Sequence, residues 1–141
     1  MIEDQRFSRL ITDIYDTALD PALWPALLAS IGETMNAQAA GLLSKDASRR
    51  CVDATCHVGL DPHFERTYAD TYGKLGPVAV SAFCDVNRIA SIPELVPYDE
   101  YCRSCFYREW AKPQGWADVA VGVLEKSASG CAYLSLSLIH I

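Results

Sequence analysis

Apolar residues recur at three- and four-residue steps over the first 35 positions, which is the spacing of one face of an α-helix. The first stripe consists of Phe7, Leu10, Ile11, Ile14, Tyr15 and Ala18. The second stripe consists of Trp24, Leu27, Leu28, Ile31 and Met35. Asp20-Pro21 stands between them, and an Asp cap followed by Pro at the first helical position favours a new helix start. The pattern predicts two amphipathic helices that meet at this dipeptide.

Short apolar runs and strict alternation predict two antiparallel β-hairpins. The first hairpin has a strand at 39–45, a polar turn at 46–50 and a returning strand at 51–58. The second has a strand at 117–124, a turn at 126–130 and a returning strand at 131–138. In the second hairpin, Val119, Val121 and Val123 fall on one side of their strand, because successive side chains of a strand point to opposite faces.

Helical spacing returns in the middle of the chain. Asp61-Pro62 repeats the cap-then-proline signal and opens a helix that continues to Leu75, where Gly76-Pro77 breaks it. Residues 78–84 are expected to form a further helical segment, and residues 88–91 an extended piece.

A second helical region follows this extended piece. Ser91-Ile92-Pro93-Glu94 has the form of a capping box, which predicts a short helical turn. Pro97 opens a longer helix, which Lys112-Pro113-Gln114-Gly115 ends. One side of that helix carries Tyr98, Tyr101, Cys102, Cys105, Phe106 and Trp110.

The order of these elements predicts an α+β fold, an antiparallel sheet flanked by helices. PAS- and GAF-type sensor folds and autoinducer-binding domains are built in this way, so the analogy favours a sensor fold. The chain has 141 residues, the size of one domain, with no internal repeat or low-complexity linker. We therefore expect one sensor or input domain over residues 1–135.

Charge and hydropathy exclude several roles for this chain. Its 18 acidic residues outnumber its 12 basic residues, giving a net charge of −6, whereas a nucleic-acid-binding surface needs a basic face. No apolar run approaches the ~20 residues needed to span a bilayer. The first five residues lack the basic and apolar regions of a signal peptide. These features predict a cytoplasmic location, with no direct contact to DNA or membrane.

The last six residues, 136–141, read Leu-Ser-Leu-Ile-His-Ile. This string is identical to one reading frame of a common sequencing adapter. We therefore expect the natural sequence to diverge after Ser135, which would leave the sensor fold incomplete at its C-terminus. On this interpretation His140 belongs to a non-native tail and to no functional site.

The candidate chemistry of the chain does not indicate an enzyme or a metal site. Signatures of nucleophilic, zinc, P-loop and dinucleotide chemistry are missing, and His57 and His63 merely flank a turn. Cys102 and Cys105 would share one helix face, but zinc needs three or four ligands. We therefore predict no metal or organic cofactor. Most of the six cysteines are expected to be structural, with redox sensing by Cys102 and Cys105 as an alternative.

Aromatic residues give the strongest indication of a site. They concentrate on two predicted helices and at the start of a strand, an arrangement suited to a small amphipathic ligand or to simple filling of the core. The predicted ligand pocket comprises Tyr68, Tyr72, Cys102, Phe106, Trp110 and Trp116.

Four stretches resemble the N-terminal sensor domain of a family of LuxR-type helix-turn-helix regulators. They are residues 14–24, 59–62, 94–97 and 106–115, the last of the form FYxEWxxPQG. The resemblance implies a signal-input role, with DNA binding by a C-terminal helix-turn-helix domain that this chain lacks. In autoinducer-binding domains an aspartate precedes the proline where Gly76 precedes Pro77 here, so the acyl-homoserine lactone site is not carried over.

Three functions remain open from the sequence. The first is an input domain that binds a small molecule and controls the missing DNA-binding domain, acting as a homodimer because such regulators read paired half-sites. The second is a ligand-free dimerisation or protein-interaction domain with a filled core. The third is the cysteine redox sensor. A hollow or solid core around Tyr68, Tyr72, Phe106 and Trp110 distinguishes the first from the second.

Overall fold

The computed structural model describes residues 2–46, 52–72 and 85–139. The helical elements are α1 (Ile2–Leu19), a 3-10 turn (Pro21–Leu23), α2 (Trp24–Thr34), α3 (Pro62–Asp70), α4 (Ile92–Leu95), α5 (Tyr98–Arg103), a π-helix (Phe106–Ala111) and a second 3-10 turn (Lys112–Gln114). The strands are β1 (Ala40–Asp46), β2 (Val52–Val58), β3 (Ile89–Ser91), β4 (Trp116–Ser127) and β5 (Gly130–Ile139). The predictions for Gly76-Pro77, residues 78–84 and His140 lie outside the described residues.

The predicted helix starts are confirmed at atomic detail. The Asp20 carboxylate accepts a hydrogen bond from the backbone N–H of Ala22 at 3.1 Å, at the start of the 3-10 turn that leads into α2. The Asp61 carboxylate accepts one from His63 at 2.9 Å. At α4, Glu94 accepts from the backbone N–H of Ser91 at 2.7 Å, which is the capping-box contact. Local polar residues therefore fix where these helices begin.

The strands form one antiparallel sheet in the order β2-β1-β5-β4-β3. Both predicted hairpins are confirmed, as β1–β2 and β4–β5. The two hairpins join through β1 and β5, where Ala40 lies opposite Leu136, and the short β3 closes the far edge. The sheet thus unites strands separated by about 90 residues of chain, a non-local pairing that the hairpin signals alone do not specify.

Helices cover the sheet on two faces, with cores of different size. The α2 side has a small core of Leu28, Ala40 and Leu136. The opposite face, here called the aromatic side, packs against α3, α4, α5 and the π-helix. Its buried residues are Ala39, Leu43, Ala90, Ile92, Tyr101, Phe106, Trp110, Ala111, Trp116, Val119, Val121, Val123 and Tyr133. The predicted alternation of the three valines is therefore confirmed.

The apolar stripe of α1 does not face a core. Amphipathic helices usually bury such a stripe, but Phe7, Ile11, Ile14 and Tyr15 are exposed. Thr17 is the buried residue of α1, and the helix packs mainly against α2. The predicted helix is confirmed, but no surface in the described part of the chain covers its apolar stripe.

The single helix predicted after Pro97 is wrong, because the chain breaks at Ser104. This residue has ψ 150°, which is extended backbone. Its hydroxyl donates to the Tyr101 carbonyl at 2.6 Å and accepts from the Tyr107 N–H at 3.2 Å, so it ends one segment and caps the next. Cys102 and Cys105 therefore belong to different segments, and the shared helix face expected for them does not form.

The segment predicted to be a foreign tail continues β5. Leu136 pairs with Ala40 and with Ala120. The buried Ser137 hydroxyl accepts from the Ala39 N–H at 2.7 Å. These residues fit the sheet whatever their origin, and the prediction of a non-native tail after Ser135 stays a prediction.

Candidate functional site

Trp110 forms the centre of the aromatic side. It lies in the π-helix, its side chain is 2% exposed, and its indole N–H donates to the Phe64 carbonyl oxygen at 2.9 Å. Its ring centroid lies 5.2 Å from Tyr68, 5.2 Å from Phe106 and 4.8 Å from Trp116. These distances are those of directly packed rings. The core immediately around Trp110 is therefore filled.

The local sequence explains how this ring comes to lie inside. π-Helical turns add one residue to the hydrogen-bond spacing and occur frequently at functional sites. Here the Lys112 N–H bonds to the Tyr107 carbonyl, five residues back, and Pro113 then prevents the helix from continuing. Gly115 takes the left-handed conformation, φ 82°, which turns the chain directly into β4 at Trp116.

The structure brings four of the six predicted pocket residues into contact around Trp110, namely Tyr68, Phe106, Trp110 itself and Trp116. The other two lie at the margins. The Tyr72 hydroxyl donates to the Glu109 carboxylate at 2.8 Å, and this hydrogen bond raises the pKa of the phenol. Cys102 is half-buried and packs against the opposite end of the cluster, beside Tyr98.

Two buried donors on the aromatic side have no hydrogen-bond partner among the described residues. They are the hydroxyl of Tyr101, which is 5% exposed, and the indole N–H of Trp116, which is 8% exposed. Burial raises the pKa of Tyr101, so its phenol keeps its proton and remains a donor at neutral pH. An unsatisfied buried donor costs about 1–3 kcal/mol. Native proteins rarely retain two such groups without a partner that supplies the acceptors.

Tyr101 is missing from the pocket predicted by sequence. The pattern placed it on the same helix face as Cys102 and Phe106, but nothing in the pattern distinguished an orphaned hydroxyl from a satisfied one. Its neighbour Tyr98 illustrates the difference, since that hydroxyl donates to the Ala117 carbonyl at 2.6 Å. Burial raises the pKa of Tyr98 to about 12, so both phenols are neutral donors.

The cluster is electrically neutral within the described residues. Among all the described residues, the buried polar or charged side chains are Thr17 and Ser137, and both are uncharged. Asp118, at the edge, already accepts from the N–H groups of Ile92 at 3.0 Å and Val119 at 2.7 Å. A buried ion would need a paired counter-charge. The site therefore suits a neutral group that offers acceptors.

A hollow of about 280 Å³ lies on the other face of the sheet, between α2 and the β1–β2 hairpin. Small residues such as Gly32, Ala37 and Ala40 form most of its wall. It contains none of the predicted site residues, and its polar side chains, Glu33 and Gln38, are exposed.

The remaining reactive side chains are dispersed. Among residues 2–46, 52–72 and 85–139, no three His, Cys, Asp or Glu side chains converge as metal ligands would. His57 pairs with Glu65 at 3.2 Å. Cys105 is exposed with Arg108 at 3.9 Å, and redox sensing with Cys102 stays a prediction. None of the helices in this part of the chain has the length and apolar character needed to cross a membrane.

This architecture, a five-stranded antiparallel sheet between helices, is the α+β fold of sensor ligand-binding domains, and the predicted fold class is confirmed. Among solved structures, it is similar to the LBD domain of VqsR from Pseudomonas aeruginosa, a LuxR-type regulator. The match covers 99% of this chain and 82% of that one, with a TM-score of 0.67 at 14% identity. Likeness at this identity shows the fold alone. No family model and no curated protein sequence matches the chain.

Proposed function

We propose that this chain is the signal-sensing input domain of a LuxR-type transcription regulator and that it binds a small neutral molecule on its aromatic side. The observation that carries the proposal is the pair of buried, unpartnered donors, Tyr101 and Trp116. The sensor fold shared with the VqsR domain, which is named as a ligand-binding domain, supports it. The ligand carries an apolar body and at least one carbonyl-type acceptor.

Signalling follows from differential binding. A ligand whose acceptors satisfy Trp116 and Tyr101 removes their desolvation cost only in the conformation that presents both donors. It therefore shifts the domain toward that conformation. A DNA-binding domain outside this chain carries the output, since this chain's charge of −6 repels nucleic acid. The ligand is bound and released unchanged, so the domain acts as a receptor rather than an enzyme.

The test removes each donor, in Tyr101→Phe, which keeps the ring, and in Trp116→Phe, which keeps an aromatic ring of smaller size. The probes are two neutral classes, N-acyl homoserine lactones and long-chain methyl ketones, and the measurement is thermal unfolding with and without probe. We expect a probe at 100 times its dissociation constant to stabilise the wild-type chain by about 2.7 kcal/mol. Without probe, Tyr101→Phe is expected to be at least as stable as wild type, because the unsatisfied hydroxyl is gone. Each variant, compared with its own stability without probe, is expected to lose most of this increment.

Tyr72→Phe is the matched control, because its hydroxyl already bonds Glu109 at the margin of the cluster. We expect it to retain the full response to the probe. If neither probe class stabilises the wild-type chain, or if Trp116→Phe responds as strongly as wild type, ligand binding at these donors is wrong.

A second candidate, a ligand-free interaction domain, is favoured by the filled core around Trp110. That ring packs directly against Tyr68, Phe106 and Trp116. On this alternative the two donors stay without an acceptor, and the fold bears their desolvation cost. Tyr101→Phe would then stabilise the chain by a similar amount whether or not a probe is present.

A further inference from the structure

Helix α1 carries an apolar seam that nothing in the described chain covers. The seam consists of Phe7, Ile11, Ile14 and Ala18, with Tyr15 beside it, and all five side chains are exposed. Steps that alternate between four and three residues are those of the contact line between two paired helices. The pattern therefore indicates a helix as the covering surface.

α1 contacts α2 through a different face from the one that carries the seam. Thr17 is buried and Leu10 is half-buried, and these residues mark the side turned toward α2. At 3.6 residues per turn, the seam lies about a quarter of a turn away from them. Contact with α2 thus holds α1 in place and leaves its seam available.

We propose that the seam is covered by α1 of a second copy of this chain, packed antiparallel in a two-fold symmetric pair. The exposed parts of Phe7, Ile11, Ile14 and Tyr15 amount to about 500 Å² per copy, so a symmetric pair buries about 1,000 Å² from these residues alone, the lower bound for a specific interface. Leu19 and Leu23 are also exposed and add apolar surface at the C-terminal end of α1.

The charges on α1 determine the direction of the pair. Glu3 and Asp4 lie in the first turn, and no basic residue lies in the last. A parallel pair would bring both acidic first turns together and align the two helix dipoles. An antiparallel pair places each acidic first turn beside the Ala18-Leu19 end of its partner, so the two acidic first turns stay apart and the dipoles oppose each other. Asp16 in that end lies nearly opposite the seam on the helix, and its charge therefore points away from the interface.

This interface is independent of the proposed ligand site. α1 packs on α2, while Tyr101 and Trp116 lie on the aromatic side of the sheet. The dimer can therefore form without ligand, and its failure would not affect the ligand-binding proposal.

The experiment measures molecular mass by sedimentation equilibrium of the full 141-residue chain. Wild type is expected to approach twice 15.5 kDa at micromolar concentrations. The double variant Ile11→Asp, Ile14→Asp is expected to weaken the dimer more than 100-fold, with an unchanged circular dichroism spectrum because both residues are surface-exposed.

Two control variants have matched exposure. Met35, at the end of α2, is 54% exposed like Ile11, and Leu124, on β4, is 48% exposed like Ile14. Met35→Asp and Leu124→Asp are expected to change the dimer dissociation constant less than threefold. A wild-type chain that stays monomeric at millimolar concentration, a double variant that still dimerises, or a Leu124→Asp that dissociates the dimer overturns the proposal.

Oxidative cross-linking tests the direction, judged against the unsubstituted chain treated identically. In the antiparallel pair, Phe7 of one copy faces Ala18 of the other, while the two Phe7 positions lie about 16 Å apart. A mixture of Phe7→Cys and Ala18→Cys chains is therefore expected to cross-link, and neither alone. Efficient cross-linking of Phe7→Cys with itself would overturn the antiparallel arrangement.

Discussion

The two faces of the sheet are incomplete in opposite ways. On the aromatic side, the rings pack tightly around Trp110, but two polar hydrogens, on Tyr101 and Trp116, have no acceptor in the described part of the chain. On the α2 side, no residue among 2–46, 52–72 and 85–139 covers the exposed apolar seam of α1. A missing acceptor calls for a small polar group, and a missing apolar surface calls for a macromolecular one.

This contrast assigns different partners to the two faces. The aromatic side has the features of a receptor site, because a ligand with one or two carbonyl oxygens suffices to complete it. The α2 side has the features of an assembly surface, because an area of about 500 Å² exceeds what a small molecule covers and approaches one half of a dimer interface. The following predictions test whether the faces really differ in this way.

The largest effect is expected at the centre of the aromatic side. Trp110→Ala should lower the free energy of unfolding by about 3–5 kcal/mol, because it opens a cavity and leaves the Phe64 carbonyl without its donor. Leu28→Ala, the equivalent deletion on the α2 side, is expected to cost about 2–3 kcal/mol. Urea denaturation measures both. A larger loss at Leu28 would show that the α2 side, not the aromatic side, carries the main core.

The next effect concerns the sheet that both faces share. Ser137→Ala removes a buried hydroxyl that bonds the Ala39 backbone, and we expect a loss of about 1–3 kcal/mol in the free energy of unfolding. Ser127→Ala, in the exposed β4–β5 turn, should stay within about 0.5 kcal/mol. Equal losses for the two variants would contradict a structural role for the last residues of β5.

Alkaline pH should weaken the aromatic side selectively. Burial raises the pKa of Tyr101 and Tyr133 above their ordinary value of 10.0, so folding favours the protonated phenols. Their contribution is complete below about pH 10 and is lost as the pH rises further. The urea midpoint should therefore fall between about pH 9 and about pH 11.5.

Tyr101→Phe should reduce that fall, because a group that stays neutral at all pH values replaces one phenol. Tyr15→Phe, with its ring exposed on α1, is the control and should keep the full fall. If the two variants lose stability equally between these pH values, burial of Tyr101 does not control the alkaline transition.

The smallest effect is expected on the α1 seam. Ile11→Ala should change the free energy of unfolding by less than about 0.5 kcal/mol when the chain is dilute enough to be monomeric, because its side chain is mostly exposed. At concentrations where wild type is dimeric, the same variant should lower the melting temperature measurably. A loss above 1 kcal/mol in the dilute chain would mean that this chain itself covers the seam.

Sequence reasoning succeeded where the cause is local. The caps at Asp20 and Asp61 and the alternation through Val121 follow from hydrogen bonds and side-chain directions within a few residues. It was wrong about the helix after Pro97, because helical spacing does not register a single extended residue. Ser104 takes that conformation because its hydroxyl bonds groups on both sides of the break.

The candidate site was predictable as a group of rings but not as a binding surface. Tyr68, Phe106, Trp110 and Trp116 were expected together and lie together. Their chemistry depends on whether each polar hydrogen has an acceptor. That requires the positions of backbone carbonyls from distant segments, as when Phe64 satisfies Trp110 while nothing satisfies Trp116.

The sequence by itself determined where the strands lie and where most helices begin, which faces are apolar and that the chain is acidic, because these properties depend on neighbouring residues. The tertiary structure decided which apolar faces are covered and which donors are satisfied, because both depend on surfaces brought from far along the chain. That is why the seam of α1 was visible as a pattern, and why only the folded chain shows it still uncovered.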